Sequence, residues 1–152
     1  MVKKKILVTG ANGLLGQKIV YNLKNRTDVT LLACSRGVNR LIETNGYKYI
    51  ELDITNKNDV KNVISLEKPD AVINCAAMTN VDKCENNQKE CWEINVNAVE
   101  NIATSCELIK AHVLHLSTDF VFDGTAGPYK ENDQPNPLHF YAESKLKSEE
   151  VI

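Results

Sequence analysis

No apolar run in this sequence approaches the ~18 residues of a membrane-spanning helix. The N-terminal Lys3-Lys4-Lys5-Ile6-Leu7-Val8 stretch breaks at Thr9-Gly10, well short of a signal peptide. A basic excess is also missing: 18 Lys and Arg stand against 20 Asp and Glu, a net charge of −2, so nucleic acid is not an expected partner. There is no CxxC pair. The five cysteines (34, 75, 84, 91, 106) cannot all pair with one another, and the three histidines (112, 115, 139) stand apart from them. Zinc-like spacing and a disulfide-built miniprotein are therefore excluded, no metal site is expected, and the thiols are read as reduced core or surface fillers. What is there is ordinary: 152 residues, 43% hydrophobic and 25% charged, enough for one domain with a real core. The composition reads as a soluble, intracellular and therefore cytoplasmic protein with no membrane partner.

Apolar strand-like runs alternate with helical patterns along the chain. Strands are expected at Lys5–Thr9, Val29–Ser35, Tyr47–Leu52, Ala71–Ala77 and His112–Ser117. Between them, Leu15, Ile19 and Leu23 recur at helical spacing, Asn56–Leu66 reads as a helix, and Gln88–Ile109 reads as one long helix. Its stripe is Trp92, Val96, Val99, Ala103 and Cys106. Residues 123–137, with two glycines and three prolines, form a long loop, and a last helix starts near Leu138. This order predicts a doubly wound α/β domain, a Rossmann-type parallel sheet covered on both faces. Such a fold has six strands when complete. Five are present, so residues 1–152 are expected to be a cofactor-binding domain cut before its sixth strand. An apolar edge left there keeps a homodimer open.

Thr9-Gly10-Ala11-Asn12-Gly13-Leu14-Leu15-Gly16 joins the first strand to the first helix. In that position Gly10 permits a tight turn, Gly13 lets the backbone approach a pyrophosphate, and Gly16 permits close helix–strand packing. The helix N-terminus then offers unpaired N–H groups to the phosphates. Counting 20 residues on from Gly16, to where an NAD site places a carboxylate on the ribose, lands on Arg36, with Ser35 before it and Arg40 after. A guanidinium suits a 2′-phosphate, so NADPH is the expected cofactor, with NADH the alternative. The GxxGxxG spacing resembles the short-chain dehydrogenase/reductase superfamily, its extended branch in particular. That resemblance implies that Asp53, after the third strand, meets the adenine.

Tyr141-Ala142-Glu143-Ser144-Lys145 puts Tyr and Lys four apart on one helix face. Reducing a ketone by hydride builds charge on oxygen that must receive a proton, and Tyr is a weak acid with a pKa of ~10. Lowering it by three units takes about 4 kcal/mol, which a lysine ammonium at ~4 Å supplies in a dielectric near 20. Tyr141 and Lys145 are thus the expected catalytic pair. Thr118, at the end of the fifth strand, would orient the carbonyl oxygen.

The strings Val72-Ile73-Asn74-Cys75-Ala76-Ala77-Met78-Thr79-Asn80-Val81-Asp82, Leu116-Ser117-Thr118-Asp119-Phe120-Val121-Phe122-Asp123-Gly124 and Tyr141 to Lys145 together resemble the dTDP-4-dehydrorhamnose reductase family. The resemblance implies reduction of the 4-keto group of a dTDP-linked 6-deoxyhexose, giving dTDP-L-rhamnose, with a nucleotide sugar as substrate. It implies Thr118, Tyr141 and Lys145 as the catalytic set and Asp119 beside the substrate. Gly10, Asn12, Gly13, Leu14, Leu15 and Gly16 would meet the cofactor phosphates, Asp53 and Ile54 the adenine, and Cys75, Ala76 and Ala77 the length of the cofactor. Asn95 matches an asparagine that shapes the long helix. Two positions depart from the pattern, Ala142 and Ser148, where glycine is usual. The family's C-terminal sugar-nucleotide domain lies outside these residues, so this stretch by itself is expected not to turn over the sugar. The alternative is a non-catalytic NADP-binding subunit resembling the β subunit of methionine adenosyltransferase, which shares the glycine turn, the VFDG segment and YxxxK.

Overall fold

The computed structural model describes residues 2–152. Five parallel strands form one sheet in the order β3-β2-β1-β4-β5, from β1 (Lys4–Thr9), β2 (Val29–Ser35), β3 (Lys48–Glu51), β4 (Ala71–Asn74) and β5 (His112–His115). The chain builds outward from β1 in one direction to β3, then returns and builds outward in the other. The crevice between the C-terminal ends of β1 and β4 is therefore the topological switch point, where open sheets of this kind bind ligands.

Successive side chains in β1 and β2 point to opposite faces, and both faces are covered. Leu7, Leu32 and Cys34 pack with Val60 and Ile64 of α2 (Lys57–Glu67) and with Ala98, Ile102 and Cys106 of α5 (Ala98–Ile109). Val8, Leu31 and Ala33 pack on the other side with Val20 of α1 (Leu14–Leu23). Leu7 and Val8 are 1% exposed or less, each contributing about 2 kcal/mol of apolar burial. Capping follows side-chain chemistry: Asn56 accepts from the N–H groups of Asn58 and Asp59 to start α2. Among the described residues no helix is long and apolar enough to cross a membrane.

Three expectations change. The fourth strand is expected to run to Ala77, but β4 stops at Asn74, whose Oδ1 accepts from Ala76 N at 3.3 Å and turns the chain off the sheet. β3 and β5 are likewise shorter than expected, and the chain beyond β5 opens into a 3₁₀ turn at Asp119–Val121. The single helix expected over Gln88–Ile109 is α4 (Gln88–Trp92), a π-helical turn (Glu93–Asn97) and α5, preceded by α3 (Val81–Asn86), which the apolar pattern does not reveal. The π turn rephases the buried face from Cys91 and Asn95 to Ala98, Val99, Ile102 and Cys106, so Trp92 and Ala103 of the expected stripe are only half-buried. α6 (Phe140–Glu150) starts on His139, whose Nδ1 accepts from Ala142 N at 3.2 Å. Ala142 and Ser148 are fully buried there, so the fold accommodates both departures from glycine.

Candidate active site

Every loop at the C-terminal edge of the sheet contributes to one groove with two lobes. The first, of about 280 Å³, is lined by Gly10, Asn12 and Gly13 after β1, Ser35, Arg36 and Arg40 after β2, Asp53 and Ile54 after β3, and Cys75, Ala76 and Ala77 after β4. The second, of about 350 Å³, shares Gly13 and Cys75–Ala77 with it. It adds Leu14, Leu15, Gly16, Thr79, Leu116, Tyr141 and Lys145. The glycine turn is the hinge between the lobes. Gly10 sits at φ +63°, and a Cβ there would lie 2.7 Å from Ala76 N. At Gly16 a Cβ would lie 2.8 Å from Ala11 Cα, so no other residue lets α1 approach this closely. Gly13 caps α1 with no side-chain hydrogen bond, and no acidic residue occupies the first turn, which leaves backbone N–H groups facing the groove.

Arg36 lies 3.9 Å from Asp53, its side chain 73% exposed. The two positions expected at opposite parts of a nucleotide thus meet at one end of the first lobe. Asp53 also accepts from Thr55 N and Oγ1 through Oδ1, at 3.0 and 2.8 Å. The Asn12 side chain does not face the groove freely. Its Nδ2 donates to Val38 O and Tyr49 Oη, and its Oδ1 accepts from Arg40 N at 2.9 Å, which staples the β2–β3 loop to the glycine turn. Nothing in the sequence gives Arg40 a role or signals the Asn12 staple.

Thr118 and Asp119 lie in neither lobe. Asp119 lines a third hollow with Phe120, Phe122, Asp123, Tyr129 and His139, next to Tyr141. Thr118 Oγ1 accepts from Phe120 N and donates to Asp119 Oδ1, both at 3.3 Å. Tyr141 is 8% exposed, with the Phe120 ring edge-on to it and His139 stacked beside it. Burial pushes the Tyr141 phenol above its ordinary pKa, a hydrogen bond with Thr118 works the other way, and the neighbouring Cys84, Cys91 and Asp119 push it up further.

The expected downward shift of Tyr141 is not seen, and Lys145 is turned towards β5. Its Nζ donates to Leu116 O at 2.5 Å and lies 2.9 Å from His115 Nε2, at the end of β5. Lys145 is 2% exposed, and burial brings it down to about 8, with Glu149 opposing. Asn95, at the centre of the π turn, accepts from Met78 N at 2.8 Å and donates to Met78 O and Ser144 Oγ, both at 3.0 Å. It ties the chain leaving β4 to α6 between Tyr141 and Lys145. Among the described residues no group of three His, Cys, Asp or Glu side chains is placed to hold a metal ion.

Comparison with known proteins places this arrangement. The chain is 36% identical over 149 residues to a dTDP-4-dehydrorhamnose reductase of Aggregatibacter actinomycetemcomitans, covering 97% of this chain and 46% of that protein. It is 34% identical to the methionine adenosyltransferase 2 subunit beta of Bos taurus, covering 98% and 42%. The crystal structure of dTDP-4-dehydrorhamnose reductase from Bacillus anthracis in complex with NADP superposes with a TM-score of 0.85 at 30% identity, covering 99% of this chain and 49% of that one. The chain thus spans about half the length of the relatives it matches. Residues 4–152 match the family model described as RmlD substrate binding domain, and the chain belongs to that family.

Proposed function

We propose that this chain is the cofactor-binding and proton-donating half of an NADPH-dependent reductase acting on the 4-keto group of a dTDP-6-deoxyhexose. The observation that carries the reading is the continuous groove at the switch point, which runs from Arg36 and Asp53 across the glycine turn to Tyr141 and Lys145. Its relatives' names and the NADP of the Bacillus anthracis structure point the same way.

The residues present fit a dinucleotide. The bare turn at Gly13 and the uncapped start of α1 suit a pyrophosphate, and Arg36 with Arg40 suits a 2′-phosphate, Asp53 and Ile54 lying beside them for the adenine. When bound, the nicotinamide supplies a hydride to the carbonyl carbon. Tyr141 then donates its hydroxyl proton to the carbonyl oxygen, which leaves an alcohol. An upward-shifted phenol is the right state for that task, because it stays protonated at neutral pH. Thr118 supports the Tyr141 hydroxyl, and Asp119 faces the adjoining hollow, where the sugar would sit. Buried Lys145 keeps the floor of the second lobe polar and closed.

The likeness to methionine adenosyltransferase 2 subunit beta supports a second reading, a non-catalytic nucleotide-binding partner subunit. One assay separates the two: transfer of hydride from NADPH to a dTDP-4-keto-6-deoxyhexose by the full-length polypeptide that carries this chain. Turnover is expected, and Tyr141→Phe is expected to lower kcat by about 10²–10⁴-fold with NADPH affinity unchanged. A tight complex with a synthetase and no turnover would establish the second reading instead.

A further inference from the structure

His115 enters none of the roles above, yet it is the centre of a buried polar chain. Asn74 is 1% exposed, and Ala76 N, which can only donate, faces its Oδ1 at 3.3 Å; Thr9 Oγ1 donates to the same oxygen. The amide orientation is thereby fixed, and Asn74 Nδ2 donates to His115 Nδ1 at 3.0 Å. A neutral imidazole whose Nδ1 accepts must carry its hydrogen on Nε2. Ser148 Oγ donates its own hydrogen to Lys145 O at 2.6 Å, so it receives the Nε2–H at 2.9 Å.

Lys145 Nζ lies 2.9 Å from the same Nε2. An ammonium there would present a proton to a proton, since it has donors only. An uncharged amine satisfies every contact: its lone pair takes a share of the Nε2–H, and one N–H goes to Leu116 O. We propose that His115 is a positioning residue that holds Lys145 against the end of β5 as an uncharged amine, and that Lys145 leaves the ring when it takes up a proton. Lys145 already borders the second lobe together with Tyr141, so that lobe is the space open to the protonated side chain. His115 thereby couples the protonation of Lys145 to its position beside the proton donor.

The surroundings agree. Burial is the larger of the causes that hold the His115 ring low and neutral, and an ammonium on Lys145 would push it the same way. The other titratable groups near the pair are Glu149 and Tyr141 on α6, Asp119 in the turn after β5, and the Cys84 and Cys91 thiols behind Tyr141. β1 and β4 contribute Thr9 and Asn74, which do not titrate.

The functional part of the proposal rests on the reductase reading, whereas the state of the ring does not. Long-range ¹H–¹⁵N spectra of the protein labelled at His and Lys, followed from pH 5.5 to 9, read both side chains without substrate or cofactor. The expected result is an Nε2–H imidazole throughout and a Lys145 amine appearing near pH 8. An imidazolium or an Nδ1–H ring in wild type overturns the proposal. His115→Phe keeps the bulk but removes the donor that favours the amine, so the Lys145 midpoint should rise by roughly half to one pH unit. A fall would mean that the ring had been accepting from an ammonium, and no movement would mean that it does not hold Lys145; either sinks the idea. In the reductase assay the basic limb of the kcat profile should move with the midpoint, and His115→Gln, which keeps an N–H donor, should bring it back. An enzyme that reduces no sugar while its spectra show the expected ring and amine would count against the reductase reading alone.

Discussion

At the scale of single residues, Arg36 shows what position in the chain reveals. Counting from the glycine turn locates it without any knowledge of the fold, because a βαβ unit has a nearly fixed length. The structure adds that its partner is Asp53, and that Arg40 is brought to the same lobe by the Asn12 staple. That staple joins residues 26 to 37 positions apart through single hydrogen bonds, and such contacts leave no period in a sequence. The Asn74–His115–Lys145 chain was illegible for the same reason. Replacing Arg36 by Asp would set two carboxylates side by side where a 2′-phosphate is expected. One charge-assisted pair is worth about 1.5–3 kcal/mol, so NADPH affinity should fall by about 10- to 100-fold relative to NADH. Calorimetric titration of the variant with each cofactor checks this, and an unchanged ratio would remove Arg36 from the site.

At the scale of elements, the glycine turn was the most legible feature, since each glycine answers a steric demand that the backbone imposes locally. Gly16 is the sharpest case. In an exposed helix Ala is better than Gly by about 1 kcal/mol. Here the added Cβ would lie 2.8 Å from Gly10 C and from Ala11 Cα, backbone atoms that cannot turn aside as a side chain can. Gly16→Ala should therefore destabilise the fold by about 2–4 kcal/mol, read as a lower urea midpoint. A variant as stable as wild type would show that α1 can slide on β1. The long helix was misread for the opposite reason. A 4-3-4-3 stripe assumes one uninterrupted phase, whereas the π turn at Glu93–Asn97 adds a residue to one turn and brings Asn95 inward. Its cause lies outside the helix, in the Met78 backbone and Ser144 that Asn95 bonds, so helical periodicity could not announce it.

At the scale of the whole molecule, the parallel sheet and its two covered faces followed from alternation and chain order, while the strand order and the charge state of the interior required coordinates. That interior sets how stability depends on pH. His115 is depressed from 6.5 to about 4 by burial and then by Lys145. Between those values the unfolded chain binds the extra proton, so stability is full above 6.5 and falls as the pH drops toward 4. Below that, Asp70, held low by its bonds to Lys5 N and Lys4, adds a further loss as it is protonated. On the alkaline side the groups compete. Lys145 is depressed to about 8, which by itself makes stability rise between pH 8 and 10.5. Burial raises Cys34 and Cys84 from 9.0 to about 12, and Cys75 and Cys106 to about 11, so unfolding releases protons from these thiols above pH 9 and stability falls. Four thiols outweigh one amine once they titrate. Urea midpoints measured across pH should accordingly show a maximum between about 6.5 and 9, with a shoulder of loss from 6.5 to 4. His115→Gln, which cannot titrate, should flatten that acid shoulder and leave the alkaline fall in place. A shoulder that persists in the variant would mean that some group other than His115 takes up the proton when the fold opens.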